Sequence, residues 1–386
     1  MRKVLDVFLT FLRLGCTSFG GPVAHLAYFQ REFVVNRCWL SDSAFGECIA
    51  LTQLLPGPSS SQTGMLLGWL RAGPLGALAA WIGFTLPSAI VMTFFALVHP
   101  DLHAGWLHGL LLVAVAVVAA AIAALREALI PDPARLLLAL AVLALVLALP
   151  APIVTPLAIA AAACVGLVLP MTRAPAQPQL DLHLSRRSGI IALLLLALAF
   201  AALTLWAASG SHLAILTNTL FRIGSLVFGG GHVVLPLLQT QLAAAGIVDD
   251  RTILAGYAVA QAMPGPLFTI AAYTGASAWG GTLGVAGAAA ATIAIFAPSF
   301  FLLTAAAPFY RQLAANAHFR GALSGANAGV VGLLAAAFVN PIFRAGVRTP
   351  IDGAAALAAF AAIRYAKVPA WVMVILGLLF GYVMER

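Results

Sequence analysis

The sequence predicts an all-α integral membrane protein built as two homologous inverted repeats of about six helices, with broken helices and 10–13 transmembrane spans in total. Three observations carry this. Hydrophobic residues make up 62% of the 386 residues and charged residues 8%, whereas a soluble globular chain carries about 25% charged residues. Mean hydropathy is +1.03. Stretches 107–125, 190–208, 283–306 and 329–343 are apolar and free of charge, and the longest meet the length of about 18 residues that a spanning helix needs. The runs are continuous rather than alternating, which points to helices and not a barrel. Finally, one helix breaker occurs twice, in QLLPGPSS at 53–60 and in QAMPGPLF at 261–268.

The elements follow in order. Candidate helices of the first half are 4–20, 43–72 (broken), 74–98, 105–126, 135–149 and 152–169. Those of the second are 212–229, 251–280 (broken), 282–306, 320–343, 350–364 and 368–384, with one extra apolar segment at 189–208. The halves align as a tandem repeat. Arg13 opposes Arg222, Phe19-Gly20-Gly21-Pro22 opposes Phe228-Gly229-Gly230-Gly231, and Gln53 opposes Gln261. Pro56-Gly57-Pro58 opposes Pro264-Gly265-Pro266, and Pro87-Ser88 opposes Pro298-Ser299. The domains are therefore 1–170, a linker at 171–211 that includes the extra span 189–208, and 212–386. An odd extra span inverts the second repeat. With a cytoplasmic N-terminus, Arg2, Lys3, Arg71, Arg126, Arg186 and Arg187 fall inside, and Arg31, Arg37, Arg344 and Arg348 fall outside, a bias in the sense of the positive-inside rule.

Composition excludes several classes. The formal charge is +8, but basic residues flank apolar segments singly, so a nucleic-acid partner is not expected. Cys16, Cys38, Cys48 and Cys164 form no CxxC pair, and they read as packing residues rather than a disulfide or zinc framework. Asp6 and Arg13 interrupt the first apolar run, and FLRLGCTSFGG has an internal twin at 221–230, so the N-terminus reads as retained. No Walker A motif, nucleophile–base pair or metal spacing stands in the spans, so neither an enzyme, a cofactor nor a metal is expected.

The breaks carry the chemistry. Pro-Gly-Pro frees backbone groups that lipid cannot satisfy, so such a break belongs in protein or a wet cavity. The helix that restarts behind it presents N–H groups and partial positive charge. Two breaks in inverted repeats would meet near the midplane and cradle an anion. Ser59, Ser60, Ser61, Gln62 and Thr63 add side-chain donors in the first half, and Thr269 in the second. Arg13 and Arg222, at matched helix ends, read as anion clamps or as interface anchors. Glu47 is the first half's only carboxylate well inside a span and the candidate proton carrier. His25 and His232 follow the glycine clusters and read as anion ligands, titrating groups or helix-end hydrogen bonds. Metal binding by His99, His103 and His108 is not expected.

These residues resemble the chromate ion transporter family in its two-domain, long-chain form. The likeness rests on FGGPVAHLAYFQREFV at 19–34, WLSDSAF at 39–45, LTQLLPGPSS at 51–60, FGGGHVVLPLL at 228–238 and GYAVAQAMPGPLFTIAAY at 256–273. Two stretches depart from the family pattern: VVNRCWL before Trp39 is poor in arginine, and Gln239 and Gln241 stand where some relatives carry a carboxylate. The resemblance implies a secondary transporter in a bacterial-type cytoplasmic membrane that exports chromate and confers chromate resistance. It also implies a functional role for Arg13, Gly20, Gly21, Pro22, His25, Pro56, Gly57, Pro58, Arg222, Gly229, Gly230, Gly231, His232, Pro264, Gly265 and Pro266. Partners are a chromate- or sulfate-like oxyanion, the lipid bilayer and protons as coupling ion, with homo-oligomerisation left open. A general sulfate or oxyanion transporter, and a membrane-embedded scaffold or enzyme, are the alternatives.

Overall fold

A computed structural model describes residues 1–19, 21–98, 105–130, 132–149, 154–169, 184–227, 234–243 and 245–384. Among these residues there is no strand. The first repeat comprises α1 (Arg2–Thr17), α2 (Gly21–Phe29, continued by wider π-type turns over Gln30–Asn36), α3 (Asp42–Gln53), α4 (Ser59–Leu97), α5 (Gly105–Leu129), α6 (Pro133–Ala148) and α7 (Val154–Val168). After α8 (Arg186–Ala207) the second repeat runs through α9 (His212–Leu226), α10 (Val234–Leu238, with π-type turns over Gln239–Ala243), α11 (Asp250–Ala262), α12 (Ile270–Trp279), α13 (Gly284–Ala306), α14 (Tyr310–Ala315), α15 (Ala317–Ala337), α16 (Arg344–Gly346), α17 (Pro350–Arg364) and α18 (Ala370–Met384). Among the described residues, five helical stretches are long and apolar enough to cross a bilayer: Ser59–Leu97, Gly105–Glu127, Arg186–Ala207, Gly281–Phe309 and Ala317–Gly346. The other candidate spans fall on shorter helices.

The chain folds back at two places in the first repeat. Helix α4 is two arms, because Ala72 and Gly73 leave helical geometry and Gly73 takes φ +68°. Its arms 59–71 and 74–97 pack so closely that a Cβ on Gly68 would come 2.8 Å from that of Ala80. Helix α2 and its continuation run back along α1. Arg37 Nη1 donates to Asp6 Oδ1 at 2.8 Å, and Arg13 Nη2 lies 2.5 Å from Glu32 Oε2. This corrects the sidedness read from the sequence. The expectation that 4–20 crosses the bilayer put Arg37 opposite the N-terminus, whereas the return of the chain puts it beside Asp6. Arg71 joins it, since both guanidinium groups lie over the Trp39 indole, at 5.0 Å for Arg71 and 5.6 Å for Arg37. The face that holds Asp6, Arg37, Trp39 and Arg71 is called the N-terminal face below.

The repeats are inverted. The second arm of α4 and its counterpart α13 cross antiparallel: Leu97 lies against Gly284, and Trp81 packs on Phe296 and Phe300 with ring centroids 5.9 and 5.8 Å apart. Within each repeat the first helix fits its long helix through one glycine. A Cβ on Gly15 would meet the Phe84 carbonyl at 2.7 Å, and one on Gly224 would overlap the Ile295 carbonyl. Without a hydrophobic drive between helices in lipid, such close approach is the usual source of cohesion.

The last helices are exchanged. Helices α17 and α18 of the second repeat pack on α5 of the first, and α6 and α7 of the first pack on α15 of the second. Both crossings use small residues: Gly105 and Gly109 against Gly377 and Gly381, and Ala162 and Gly166 against Gly321 and Gly325. Beside the second glycine of α5, His108 Nε2 meets Asp352 Oδ1 at 2.8 Å; beside that of α15, Ser324 Oγ takes Arg135 Nε at 2.6 Å. Each repeat is thus clasped by the tail of the other. Of the cysteines, Cys48 is buried as expected of a packing residue, whereas Cys16, Cys38 and Cys164 are exposed.

Candidate functional site

The two breaks meet across the repeat boundary. The Gly57 amide donates to the Val227 carbonyl at the end of α9 at 2.5 Å, and the Gly265 amide donates to the Ser18 carbonyl at the end of α1 at 3.0 Å. These are matched partners, each in the opposite repeat. Both glycines hold positive φ, +119° and +97°, which only glycine adopts cheaply. Both also lie against a serine on the long helix of the other half. A Cβ on Gly57 would sit 3.1 Å from Ser299 Oγ, and one on Gly265 would sit 2.7 Å from Ser88 Oγ. The frame that Pro56, Gly57, Pro58, Pro264, Gly265 and Pro266 build is therefore shared by both halves.

Inside the frame the halves differ. In the first, the arm 59–71 begins behind Pro58, and its first intrahelical bond runs from the Gln62 amide to the Pro58 carbonyl at 2.8 Å. The amides of Ser59, Ser60 and Ser61 precede that bond, as the free N–H groups of any helix start do. Gln62 Nε2 donates back to the Pro56 carbonyl at 2.7 Å and reaches Ser299 Oγ at 3.4 Å. His25 is buried, with Nδ1 3.2 Å from Ser60 Oγ and its ring edge-on to Phe84 at 5.1 Å. Ser18 Oγ, His25 Nε2, Ser61 Oγ, Gln62 Oε1 and Thr85 Oγ1 are buried without a hydrogen-bond partner. Buried polar atoms are ordinarily satisfied, so this cluster has hydrogen-bonding capacity to spare. In the second half, the Thr269 amide and hydroxyl both go to the Pro266 carbonyl, at 3.0 and 2.7 Å. Thr269, expected as a donor to the anion, is spent within its own turn.

The remaining candidates separate. Gly21, φ +76°, opens α2 with Pro22. Gly20, Gly229, Gly230, Gly231 and His232 lie outside the described residues. Gln261 is buried and bonded to the Tyr257 hydroxyl, whereas Gln53 is exposed. The structure does not bring Arg13 and Arg222 to the breaks. Arg13, 58% exposed in its side chain, turns onto Glu32. Arg222 donates to Asn218 Oδ1 at 3.2 Å and to Thr204 Oγ1 of α8 at 3.0 Å, both on the exterior. Glu47 lies half-buried on α3, within electrostatic reach of Tyr310. Sequence reasoning missed Ser18, Thr85, Ser88 and Ser299 as site residues. The only signal for the last two was their place after matched prolines at 87 and 298.

Comparison with known proteins follows the same halves. The family model described as chromate transporter matches residues 5–167 and 214–382. A chromate transport protein of Pseudomonas aeruginosa is 29% identical over 87% of this chain and 80% of its own length. A probable chromate transport protein of Synechococcus elongatus is 27% identical over 85% of this chain and 82% of its own. An uncharacterised transporter of Methanocaldococcus jannaschii is 25% identical over 98% and 94%. No solved structure matches.

Proposed function

Because the chain belongs to the chromate transporter family, we propose that it exports chromate across a bacterial-type cytoplasmic membrane, confers chromate resistance, and binds the anion where the two Pro-Gly-Pro breaks meet. Family membership supports reading it as a multi-pass membrane transporter. The observation that carries the site is the reciprocal pair of bonds from Gly57 to Val227 and from Gly265 to Ser18, with unpartnered polar atoms of Ser18, His25, Ser61 and Thr85 beside them. Chromate and sulfate are tetrahedral dianions that only accept hydrogen bonds. A ring of neutral hydroxyl, imidazole and backbone N–H donors at a helix start suits both, so sulfate competes. A neutral site holds a dianion without trapping it, which a turnover cycle requires.

Direction and coupling complete the proposal. Arg37 and Arg71 join Arg2 and Lys3 on the N-terminal face, and Arg364 of α17 pairs with Glu127 at the far end of α5. That concentration of basic charge favours a cytoplasmic N-terminus. Export of a dianion is then driven by the membrane potential or by proton exchange, with Glu47 the candidate carrier. The test is radiolabelled chromate uptake by inverted vesicles. Uptake that is inhibited by excess sulfate and collapsed by an uncoupler is expected. Uptake that needs ATP while a gradient is imposed overturns the reading.

A further inference from the structure

The N-terminal face carries a feature that the break site does not use. Trp39 stands just before α3, and Arg71 ends the first arm of α4. The two residues close the base of a re-entrant hairpin whose tip is Pro56-Gly57-Pro58. Arg37 and Arg71 both lie over the one indole, at 5.6 and 5.0 Å. Their surroundings differ. Arg37 is neutralised by Glu32 at 2.6 Å and Asp6 at 2.8 Å. Arg71 has no carboxylate in ion-pair distance among the described residues, and its Nε is buried without a hydrogen-bond partner. Two guanidinium groups lie over one indole, and the nearer has no anion among the described residues.

The matched base in the other repeat has the opposite character. In the alignment Trp279 stands where Arg71 does and Ile247 where Trp39 does. The start of α11 there is acidic: Asp249 caps the helix and Asp250 follows, with Arg251 next. The first hairpin shares one carboxylate, Asp42 standing where Asp250 does, but adds Arg71 with no carboxylate at ion-pair distance among the described residues, whereas the second carries both Asp249 and Asp250. Such fields raise the local concentration of a counter-ion at one mouth and oppose it at the other.

We propose that Arg71, seated on Trp39 beside Arg37, is a capture site for tetrahedral oxyanions at the base of the first hairpin, distinct from the site at its tip, and that Asp249 and Asp250 aid release at the opposite face. The inference rests on the reading of the chain as an oxyanion exporter. The arm 59–71 joins the two stations over roughly 18 Å at 1.5 Å per residue. The guanidinium fork matches a pair of oxyanion oxygens, and the indole holds it in place. Salt weakens such a partly exposed contact.

The experiment measures initial rates of chromate transport in proteoliposomes against chromate concentration, at low and at physiological ionic strength, for the parent, Arg71→Gln, Arg71→Lys and Trp39→Phe. Thermal unfolding of each purified variant accompanies the rates. Expected for Arg71→Gln is a KM raised by about 3- to 10-fold at low salt, a maximal rate near that of the parent, and a KM that no longer rises with salt. Arg71→Lys restores the salt dependence and part of the affinity, and Trp39→Phe falls between. An unchanged KM and salt dependence in a transporting Arg71→Gln protein overturns the capture site and leaves the exporter reading standing. Loss of maximal rate at unaltered KM, with Lys failing alike, also overturns it, since Arg71 would then serve structure. A parent protein that carries no chromate removes the exporter reading itself.

Discussion

Replacing Gly57 by alanine tests the joint between the repeats. At φ +119° the residue lies where side chains are strained, at about 1–3 kcal/mol. The new methyl would also sit 2.5 Å from Gln62 Nε2 and 3.1 Å from Ser299 Oγ. Serine can rotate away. Gln62 can move only by giving up its 2.7 Å bond to the Pro56 carbonyl, a further loss of about 1 kcal/mol. The expected cost is about 2–4 kcal/mol. Two controls separate the contributions. Gly210 has φ +74° with nothing within 4 Å of a Cβ, so Gly210→Ala carries backbone strain alone. Gly46 lies inside α3 with nothing within 4 Å and no positive φ, so Gly46→Ala stabilises by up to about 1 kcal/mol. Unfolding in mixed micelles ranks the three, and chromate flux in proteoliposomes shows whether the ranking matters. Gly57→Ala is expected to be the least stable and to lose transport, while Gly210→Ala and Gly46→Ala transport like the parent. Equal stability for the variants at 57 and 210, with transport kept in both, would refute the account of the joint.

Other outcomes follow from the same geometry. In a protein freed of its natural cysteines, Ser43→Cys and Thr282→Cys react with an impermeant reagent from opposite sides of the membrane; labelling from one side would end the inverted arrangement. Arg222→Gln changes chromate KM by less than about twofold, because an exposed contact to Asn218 and Thr204 is worth little; a larger change would return this arginine to the binding site. Asp249 is partly buried, which raises its pKa, but hydrogen bonds from the Thr252 hydroxyl and from main-chain amides outweigh this and hold it below the ordinary carboxylate value. Its cap therefore stabilises fully above the unfolded pKa of about 3.9 and is lost as pH falls through the lower folded value. Asp249→Ala is expected to cost about 1 kcal/mol at neutral pH and to flatten the acid limb of the stability profile, and an unaltered limb would count against the cap.

Much of the fold is written in the chain. Continuous apolar runs gave the class, and Pro56-Gly57-Pro58 with its twin gave both the repeat and the joint that the halves share. What escaped was path. Residues 4–20 are apolar enough for a span, and hydropathy alone does not tell a helix that crosses from one whose chain turns back before α2. Only the ion pairs of Arg37 and Arg13 with Asp6 and Glu32 reveal the return. The arginines misled for a related reason. A charge inside an apolar run signals a partner, but Glu32 lies beyond the turn, nineteen positions from Arg13, and sequence does not show which candidate is near. The exchanged tails were marked by Gly105 and Gly109, Gly321 and Gly325, and Gly377 and Gly381, though the spacing says that helices touch and not which ones.

The exchange of tails has a consequence for how the protein is made. Helix α5 leaves the ribosome well before its partners α17 and α18. Helices α6 and α7 likewise wait for α15. Until translation is nearly complete, the glycine-lined flank of α5 faces lipid, or whatever membrane chaperone holds it, with its cognate surface not yet in existence. The closing contacts join residues far apart in the chain, and such closures are slow. A messenger truncated between α8 and α15 therefore yields a product whose first half is fully translated but unclasped, a ready substrate for membrane proteases.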